Sequence, residues 1–342
     1  MSVSSEVKPA DHPDVRRPRL PRLPGWASGT AAVQRVLAFG ALIILFVVFS
    51  TLSEYFLNFD NVVDILLATA VNGVLALGAT FVITTGGIDL SVGTVMTLSA
   101  VLTAQTIVTW DGPIALGIVV GIVTGATCGL ANGLVIAKLK LPPFIATLGM
   151  FYAARGLALV ISHSAPIYLT DKPAFLTLVM GKAVPGVPNV VLFFFLVAAI
   201  AAVVLGRTVL GRYTVALGSN EEATRLSGVP TDRWKIAVYT VGGTFTGLAG
   251  VFIAGRIGSA QPSLGAGYEL DAIAAAVIGG TSLSGGQGTI LGTVIGACVM
   301  STLTNGLRLL SVPQEWQMVI TGVILVLAVF LDVLRRRRAT AG

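Results

Sequence analysis

The sequence has little charge. Asp, Glu, Lys and Arg make up 11% of its 342 residues, whereas soluble proteins contain about 25%. Hydrophobic residues make up 54%, and the mean hydropathy is +0.88. A chain of this composition would expose an apolar surface, which aggregates in water but matches lipid. The composition therefore excludes a water-soluble monomer and predicts a membrane protein that crosses the bilayer several times.

Cysteine and histidine are also scarce, with two residues of each. Cys128 and Cys298 lie inside long apolar runs, and His12 and His163 lie far from both. This distribution excludes the closely spaced cysteines of a disulfide-rich secreted domain and the ligand cluster of a metal site. It also offers no nucleophile, base and orienting group for an enzyme active site. We therefore expect no metal, no cofactor and no catalytic residue.

Apolar segments of about 20 residues, each long enough to cross the hydrocarbon core of a bilayer, divide the chain. The fold class predicted from them is all-α, with about ten transmembrane helices in a permease domain of residues 36–334. A disordered basic tail, residues 1–35, precedes this domain, and a short basic C-terminus, residues 335–342, follows it. The predicted spans are residues 36–56, 62–84, 92–110, 114–137, 144–162, 190–206, 235–255, 270–283, 288–305 and 316–334.

Lys and Arg are distributed unevenly between the two sides of these predicted spans. If the N-terminus is cytoplasmic, most of the 22 basic residues fall in cytoplasmic segments, including the run from Arg335 to Arg338. The external segments hold only Lys172, Lys182, Arg256 and Arg308. This asymmetry follows the positive-inside rule, so both termini are predicted to be cytoplasmic. Attraction to anionic lipid headgroups accounts for the terminal run, and we expect no nucleic-acid partner.

Glycine is abundant, with 40 residues, and in two spans it recurs every fourth position. Such spacing places the glycines on one helix face, which another helix can approach closely. These faces could pack within one chain or across a dimer. The glycines are Gly117, Gly121, Gly125, Gly129 and Gly133 in one span and Gly288, Gly292 and Gly296 in the other.

The predicted cytoplasmic loop of residues 207–235 contains a complete short helix signal. Ser219 and Glu222 have the spacing of a capping box, and Glu221 and Glu222 suit the positive end of a helix dipole. Gly228 supplies the C-terminal stop. A helix of two turns is too short to be stable alone. We therefore expect it to pack on the rest of the loop, on the headgroup layer or on another protein.

Glu222, Ala223 and Thr224, followed by Gly228, resemble the EAA-x-x-x-G loop of ATP-binding cassette (ABC) importer permeases. In that family such a helix docks into a groove on the ATPase subunit. The resemblance implies that the coupling residues are Ser219, Glu221, Glu222, Ala223, Thr224, Arg225 and Gly228. Thr224 departs from the motif, in which this residue is alanine, and we expect the groove to accommodate the additional methyl and hydroxyl groups.

A second stretch, from Thr84 to Thr94, reads TTGGIDLSVGT. It resembles the signature of ribose-type permeases, which import monosaccharides. Gly86 and Gly87 interrupt an apolar helix, and Asp89 with Ser91 can cap the next one. A carboxylate at membrane depth is costly, and its presence there indicates a functional role such as a substrate contact. The alternative interpretation is that Asp89 caps a helix at the membrane interface.

The stretch from Gly279 to Thr289, GGTSLSGGQGT, partly repeats this pattern. Because both interruptions are predicted on the cytoplasmic side, we interpret the similarity as independent use of glycine rather than as an inverted repeat. Residues 283–287 also spell LSGGQ, the signature string of ABC ATPases. The flanking residues are apolar, and the chain has no G-x-x-x-x-G-K-[ST] phosphate loop, so we interpret the string as a coincidence.

A few further polar and aromatic residues lie in or near the predicted spans. Sugars are bound by neutral hydrogen-bonding groups and aromatic faces. Arg155 lies about midway along a span, where an unpaired cation is costly, so we expect it to have a partner. Its role is either structural or part of the transport pathway. The candidate pathway residues are Asn72, Gly86, Gly87, Asp89, Ser91, Gln105, Asn132, Phe151 and Tyr152.

The resemblance to ribose-type permeases extends over residues 58–334 and implies a sugar importer in the bacterial cytoplasmic (inner) membrane. It implies three protein partners, namely a cytoplasmic ABC ATPase, a second permease copy in a homodimer or heterodimer, and a periplasmic or lipid-anchored sugar-binding protein. The binding protein would dock on external residues 163–189 and 256–270. The alternative is an ion-coupled secondary sugar transporter or facilitator, for which Asp64, Asp89 and Asp271 are the available carboxylates.

Overall fold

The computed structural model describes residues 25–340, with side chains for residues 36–330 and 334. These residues form an α-helical bundle with one short antiparallel sheet, so the predicted all-α class is confirmed apart from that sheet. The helices are α1 (Gly25–Leu52), α2 (Phe59–Thr84), α3 (Val92–Ala104), α4 (Ile114–Lys138), α5 (Pro143–Ile161), α6 (Pro173–Met180), α7 (Asn189–Arg207), α8 (Val209–Ser219), α9 (Glu221–Leu226), α10 (Thr231–Ile257), α11 (Tyr268–Ile278), α12 (Ile290–Leu309) and α13 (Gln314–Thr340).

Within the described residues, seven helices are long and apolar enough to cross a membrane. They are α2, α4, α5, α7, α10, α12 and the combined helix of α3 with the π-helical turn Gln105–Thr109, and each overlaps a predicted span. Helices α1 and α13 contribute shorter apolar stretches, Val36–Leu52 and Gln314–Phe330. The remaining predicted span, residues 270–283, corresponds to α11, which has 11 residues. The number of ten spans therefore remains a prediction.

The two ends of the chain differ in how far the structure describes them. Residues 1–24 of the predicted basic tail lie outside the described part. Helix α1 begins at Gly25, so it includes residues that the sequence analysis assigned to the tail. Helix α13 continues to Thr340 through the predicted basic C-terminus, whose side chains are not described.

Helix α2 lies at the centre of the bundle and packs against α10, α11 and α12. Its residues from Gly73 to Thr84 are all buried, including Phe81, which stacks on Phe245 of α10. The threonine hydroxyls of this segment find acceptors within α2. Thr80, for example, donates to the Ala76 carbonyl oxygen at 2.8 Å and has its hydroxyl 2.6 Å from that of Thr293 in α12. Such pairing avoids the cost of unsatisfied polar groups in a membrane.

The glycine-lined face of α4 packs within the chain, against α3 and α10. A Cβ atom on Gly125 would lie 2.2 Å from the Gly243 carbonyl oxygen, and one on Gly129 would lie 2.2 Å from that of Tyr239. These distances are too short for any side chain, so the backbones of α4 and α10 touch directly. The glycines of α12 behave in the same way, since a Cβ on Gly296 would lie 2.0 Å from the Ala275 carbonyl oxygen of α11.

Candidate functional site

The short helix predicted in the loop of residues 207–235 is present as α9, between α8 and α10. Its N-cap differs from the prediction. The Asn220 side chain accepts a hydrogen bond from the Ala223 amide at 2.9 Å, whereas the Ser219 hydroxyl donates to the Val215 carbonyl oxygen within α8. The predicted capping box at Ser219 is therefore wrong. An N-cap residue has non-helical backbone angles. Asn220 meets this condition, with φ −164° and ψ 102°, whereas Ser219 is still part of α8.

The end of α9 agrees with the predicted glycine stop. Gly228 has φ +83°, a left-handed conformation that residues with a side chain rarely adopt. Its amide donates to the Arg225 carbonyl oxygen at 3.0 Å. The chain thus reverses after one and a half turns and enters α10 at Thr231.

Thr224, which the sequence analysis expected a partner groove to accommodate, instead packs within its own chain. Its side chain is buried against its own chain. Its hydroxyl lies 3.0 Å from the Ala216 carbonyl oxygen and 2.8 Å from that of Asn220. The departure from alanine at this position is therefore accommodated within the chain itself, because the hydroxyl lies near carbonyl oxygens of Ala216 in α8 and of the cap residue Asn220.

The opposite face of α9 is open. Leu226 is 80% exposed, and Glu222, Ala223 and Arg225 are exposed beside it. Arg225 donates to the Glu222 carboxylate, and this hydrogen bond together with the positive charge of Arg225 lowers the pKa of Glu222. The face therefore carries an ionised pair next to an exposed leucine.

A salt bridge holds α9 against α10. The Glu221 carboxylate accepts a hydrogen bond from the Lys235 ammonium group at 2.7 Å. Because Lys235 is in the second turn of α10, this contact and the Thr224 bond connect α9 to both of its neighbouring helices. Helix α9 is therefore attached to both α8 and α10.

Asp89, Ser91 and Asn132 form a buried polar cluster between α2, α3 and α4. The Asp89 carboxylate accepts from the Ser91 amide at 2.8 Å and from the Ser91 hydroxyl at 2.6 Å. The same hydroxyl accepts from the Asn132 side-chain amide at 3.1 Å. Asp89 and Asn132 are 6% and 2% exposed. The structure thus brings three candidate pathway residues together in a closed hydrogen-bonded network.

Gly86 and Gly87 form the turn after α2, and Gly87 lies against the side chain of a tyrosine in α10. Gly86 has φ +81°, which turns the chain out of α2. A Cβ on Gly87 would lie 2.4 Å from the hydroxyl oxygen of Tyr239 in α10. That oxygen is buried and has no hydrogen-bond partner among the described residues. The sequence analysis missed Tyr239, since nothing in its local pattern distinguishes it from a core aromatic residue.

The stretch from Gly279 to Thr289 is a tight loop between α11 and α12. Gly280, Gly285 and Gly286 have positive φ angles, and the Ser282 amide donates to the Gln287 carbonyl oxygen at 3.1 Å. Its LSGGQ string therefore forms a turn within the bundle rather than the start of a soluble helix. The loop touches the end of α2, because the Gly286 amide donates to the Thr84 carbonyl oxygen at 2.9 Å. The two glycine-rich stretches thus meet, a contact that was not predicted from the sequence.

Three residues predicted to lie in or near the pathway, Phe151, Tyr152 and Arg155, are on α5, most of which is exposed. Tyr152 is 65% exposed and packs edge-on against Phe151, with ring centroids 5.3 Å apart. Arg155 is also exposed, and no hydrogen bond or ion pair joins it to another described residue. The partner expected for Arg155 is therefore not found in the described part of this chain.

The last two predicted pathway residues lie apart from the cluster. Asn72 is half-buried in α2. Gln105 begins the π-helical turn after α3, where its side chain accepts from the Thr109 hydroxyl at 3.2 Å. The structure does not bring either of them to Asp89 or to Arg155.

Two strands join the predicted external segments. Strand β1 (Ile167–Tyr168) belongs to residues 163–189, and β2 (Ser259–Ala260) to residues 256–270. They pair in antiparallel fashion, with Ile167 opposite Ala260. Lys172 also pairs with Asp111 from the loop before α4. The strand pairing links the two segments. Both residues of β2 are buried, whereas Tyr168 of β1 is exposed.

Comparison with known proteins agrees with these features. Residues 61–329 match the family described as branched-chain amino acid transport system / permease component. The chain is 44% identical over 301 residues to the ribose import permease protein of Bacillus subtilis (strain 168), covering 88% of this chain and 93% of that protein. It is 42% identical over 295 residues to the ribose import permease protein of Escherichia coli (strain K12), covering 85% and 91%.

A third relative is the xylose transport system permease protein of Escherichia coli (strain K12), 35% identical over 356 aligned residues that cover 87% of this chain and 90% of the relative. No solved structure gives a significant match. The matches span the bundle, the two glycine-rich stretches and the loop that contains α9. The resemblance to ribose-type ABC importer permeases is therefore confirmed, and this multi-pass membrane protein belongs to the branched-chain amino acid transport system permease family.

Proposed function

We propose that the chain is the membrane-spanning permease subunit of an ABC importer in the bacterial cytoplasmic membrane, and that it carries a monosaccharide or a related polyol. The relatives described above are named as ribose and xylose permeases. The observation that carries the proposal is α9, a capped helix that presents an open face while its other face is tied to the bundle. The chain would form the pathway, and ATP hydrolysis would occur on a separate subunit.

The coupling step follows from the anchoring of α9. Its exposed residues Glu222 and Leu226 offer a charge and an apolar group to a groove on the ATPase. Its buried residue Thr224 and its salt-bridged residue Glu221 pass the resulting motion to α8 and α10. When ATP closes the ATPase dimer, the helices would move between outward-open and inward-open arrangements.

The orientation of the chain follows from the positive-inside rule. With ten spans and both termini in the cytoplasm, α9 lies on the cytoplasmic side, where ATP is available. The segments that contain β1 and β2 then lie outside, where a periplasmic or lipid-anchored binding protein can deliver sugar. Pairing of the two strands holds these segments together, and the exposed Tyr168 of β1 is available for docking.

A second permease copy would cover the exposed face of α5. A cation on a lipid-facing helix costs about 2.5 to 3.5 kcal/mol on insertion scales, and Arg155 has no described partner. If α5 borders a pathway shared by two copies, Arg155 and Tyr152 gain water, sugar or the partner chain as neighbours. The same contact would satisfy either a homodimer or a heterodimer with a related permease.

Transport by reconstituted vesicles tests the proposal. The permease is reconstituted with its ATPase and binding protein, and uptake of labelled ribose and xylose is measured with and without ATP. We expect uptake only when ATP, the ATPase and the binding protein are all present, and no loss of uptake when ionophores collapse the ion gradients. Uptake driven by a proton or sodium gradient without the ATPase would instead establish the alternative, a secondary transporter.

A further inference from the structure

The C-terminal end of α8, which precedes α9 in the chain, packs between the two glycine-rich stretches. Three backbone segments meet there, namely residues 84–86 at the end of α2, residues 218–219 at the end of α8, and residues 285–286 in the loop before α12. We call this contact the glycine junction. A Cβ atom on Gly218 would lie 1.9 Å from the Thr84 carbonyl oxygen and 2.4 Å from the Gly286 nitrogen. No side chain fits at Gly218 unless the backbones separate.

The other glycines of the junction are as confined. A Cβ on Gly285 would lie 2.8 Å from the Gly218 Cα atom and 2.8 Å from the Gly86 nitrogen, and one on Gly286 would lie 2.8 Å from the Ser219 hydroxyl oxygen. Both residues have positive φ angles, which favour glycine for a second reason. The hydrogen bond from the Gly286 amide to the Thr84 carbonyl oxygen, 2.9 Å long, closes the contact.

The junction connects α9 with the helices at the centre of the bundle. Asn220, the cap of α9, directly follows Ser219, and Thr224 bonds back to Ala216, which lies just before Gly218 in α8. On the other side, α2 and α12 are joined by the hydroxyls of Thr80 and Thr293. At the junction itself the backbones of α8, α2 and the loop before α12 touch with no side chain between them, so a displacement passed from α9 to α8 reaches α2 and α12 there.

We propose that the glycine junction is a rigid link that transmits movement of α9 to α2 and α12, with Gly218 as its central positioning residue. This inference rests on the proposed function, since it assumes that an ATPase moves α9. Close-packed contacts transmit displacement because they cannot deform continuously. The two glycine-rich stretches then provide the surface on which the end of α8 packs. This role is separate from any contact that they make with the transported sugar.

The first test compares Gly218→Ala with Gly206→Ala. Gly206 lies near the end of α7 and a Cβ there would meet nothing within 4 Å, so it is a matched control. We expect Gly218→Ala to bind the ATPase and to hydrolyse ATP within about twofold of the native complex, while sugar transported per ATP falls about tenfold, within the usual range of coupling energies. Gly206→Ala should keep the native ratio. Native coupling in Gly218→Ala would overturn the inference.

The second test uses the native complex and does not depend on how a variant folds. Hydrogen exchange of the Gly286 amide is measured in the nucleotide-free complex and in the complex trapped with a non-hydrolysable ATP analogue. A rigid link predicts protection of this amide in both states. Exchange at the solvent rate in either state would show that the junction opens during the cycle and would overturn the inference. Failure of the proposed function is distinct, since the native chain would then show no ATP-dependent uptake.

Discussion

The Thr224 hydroxyl lies 3.0 Å from the carbonyl oxygen of Ala216, so helix α9 is fixed to the last turns of α8. This contact sets which face of α9 is available to another protein. With Thr224 turned inward, Leu226 points outward and is 80% exposed. An exposed leucine next to an ionised Glu222 and Arg225 pair suits a partner groove with an apolar floor and a polar rim.

Replacing Leu226 by alanine should therefore weaken the binding of the ATPase. Burying a leucine side chain contributes about 1.5 to 3 kcal/mol, which corresponds to a loss of affinity of about tenfold or more. The measurement is titration of the ATPase onto permease in lipid nanodiscs. Leu57→Ala is the matched control, because it truncates an exposed leucine in the connection between α1 and α2, and it should bind within about threefold of native. Native affinity in Leu226→Ala would contradict docking through the exposed face of α9.

Replacing Gly228 by valine should disturb coupling through the backbone rather than through a clash. No atom lies within 4 Å of a Cβ on Gly228, yet its φ is +83°. A side chain in this left-handed conformation costs about 1 to 2 kcal/mol, and valine is especially unsuited to it. Gly228→Val should insert normally but lose ATP-dependent uptake, and Gly228→Asn should be milder because asparagine tolerates left-handed angles. Equal uptake by both variants and the native chain would contradict docking through α9.

Charge reversal at Glu222 should reduce ATPase association more than it reduces expression. Glu222→Lys breaks the pair with Arg225 and places a positive charge in the first turn of α9, where the helix dipole favours an acid. Arg225 lowers the pKa of Glu222, so the carboxylate is charged at neutral pH. The substitution therefore changes the charge of α9 at neutral pH. Glu54→Lys, in the exposed connection between α1 and α2, changes the net charge equally. Recovery of equal amounts of ATPase with both variants would argue against a role for Glu222.

How much the sequence predicts can be seen at α9 and its surroundings. The helix, its acidic first turn and its glycine stop follow from local residue patterns, because each needs only neighbours along the chain. Ser219 and Asn220 are adjacent and both can cap a helix. Asn220 is the cap because α8 continues as far as Ser219, and the local sequence does not indicate where α8 ends. The meeting of Gly218, Thr84 and Gly286 depends on contacts between distant segments, and a single sequence carries no local signal for them.

The glycine-lined face of α4 provides a separate test of packing. Gly125→Ala should destabilise the bundle, since its Cβ would lie 2.2 Å from the Gly243 carbonyl oxygen and overpacking costs about 1 to 3 kcal/mol. Gly149→Ala in α5, where nothing lies within 4 Å, is the control. We expect a lower midpoint of thermal unfolding in detergent for Gly125→Ala only. Equal midpoints would show that α4 and α10 are not in backbone contact in the membrane protein.

Asp89 allows its two interpretations, a structural cap and a substrate contact, to be separated by a pair of variants. Asp89→Asn keeps the Oδ1 acceptor for the Ser91 amide and hydroxyl, which lie 2.8 and 2.6 Å away. Asp89→Ala removes it and leaves buried donors without an acceptor, at a cost of about 1 to 3 kcal/mol. Because the carboxylate is only 6% exposed and its bonds stay inside the chain, we expect the structural role.

Thermal unfolding and sugar uptake of both variants should then change together. Asp89→Asn should keep the native unfolding midpoint and uptake within about threefold, since a neutral amide oxygen replaces the carboxylate oxygen as acceptor. Asp89→Ala should lose stability and, in proportion, the amount of functional protein. If Asp89→Asn folds with the native midpoint and still loses uptake, the charge itself is required and Asp89 contacts the transported sugar. Ser91→Ala, which interrupts the chain of bonds to Asn132, should resemble Asp89→Ala in stability, because both break the same buried network.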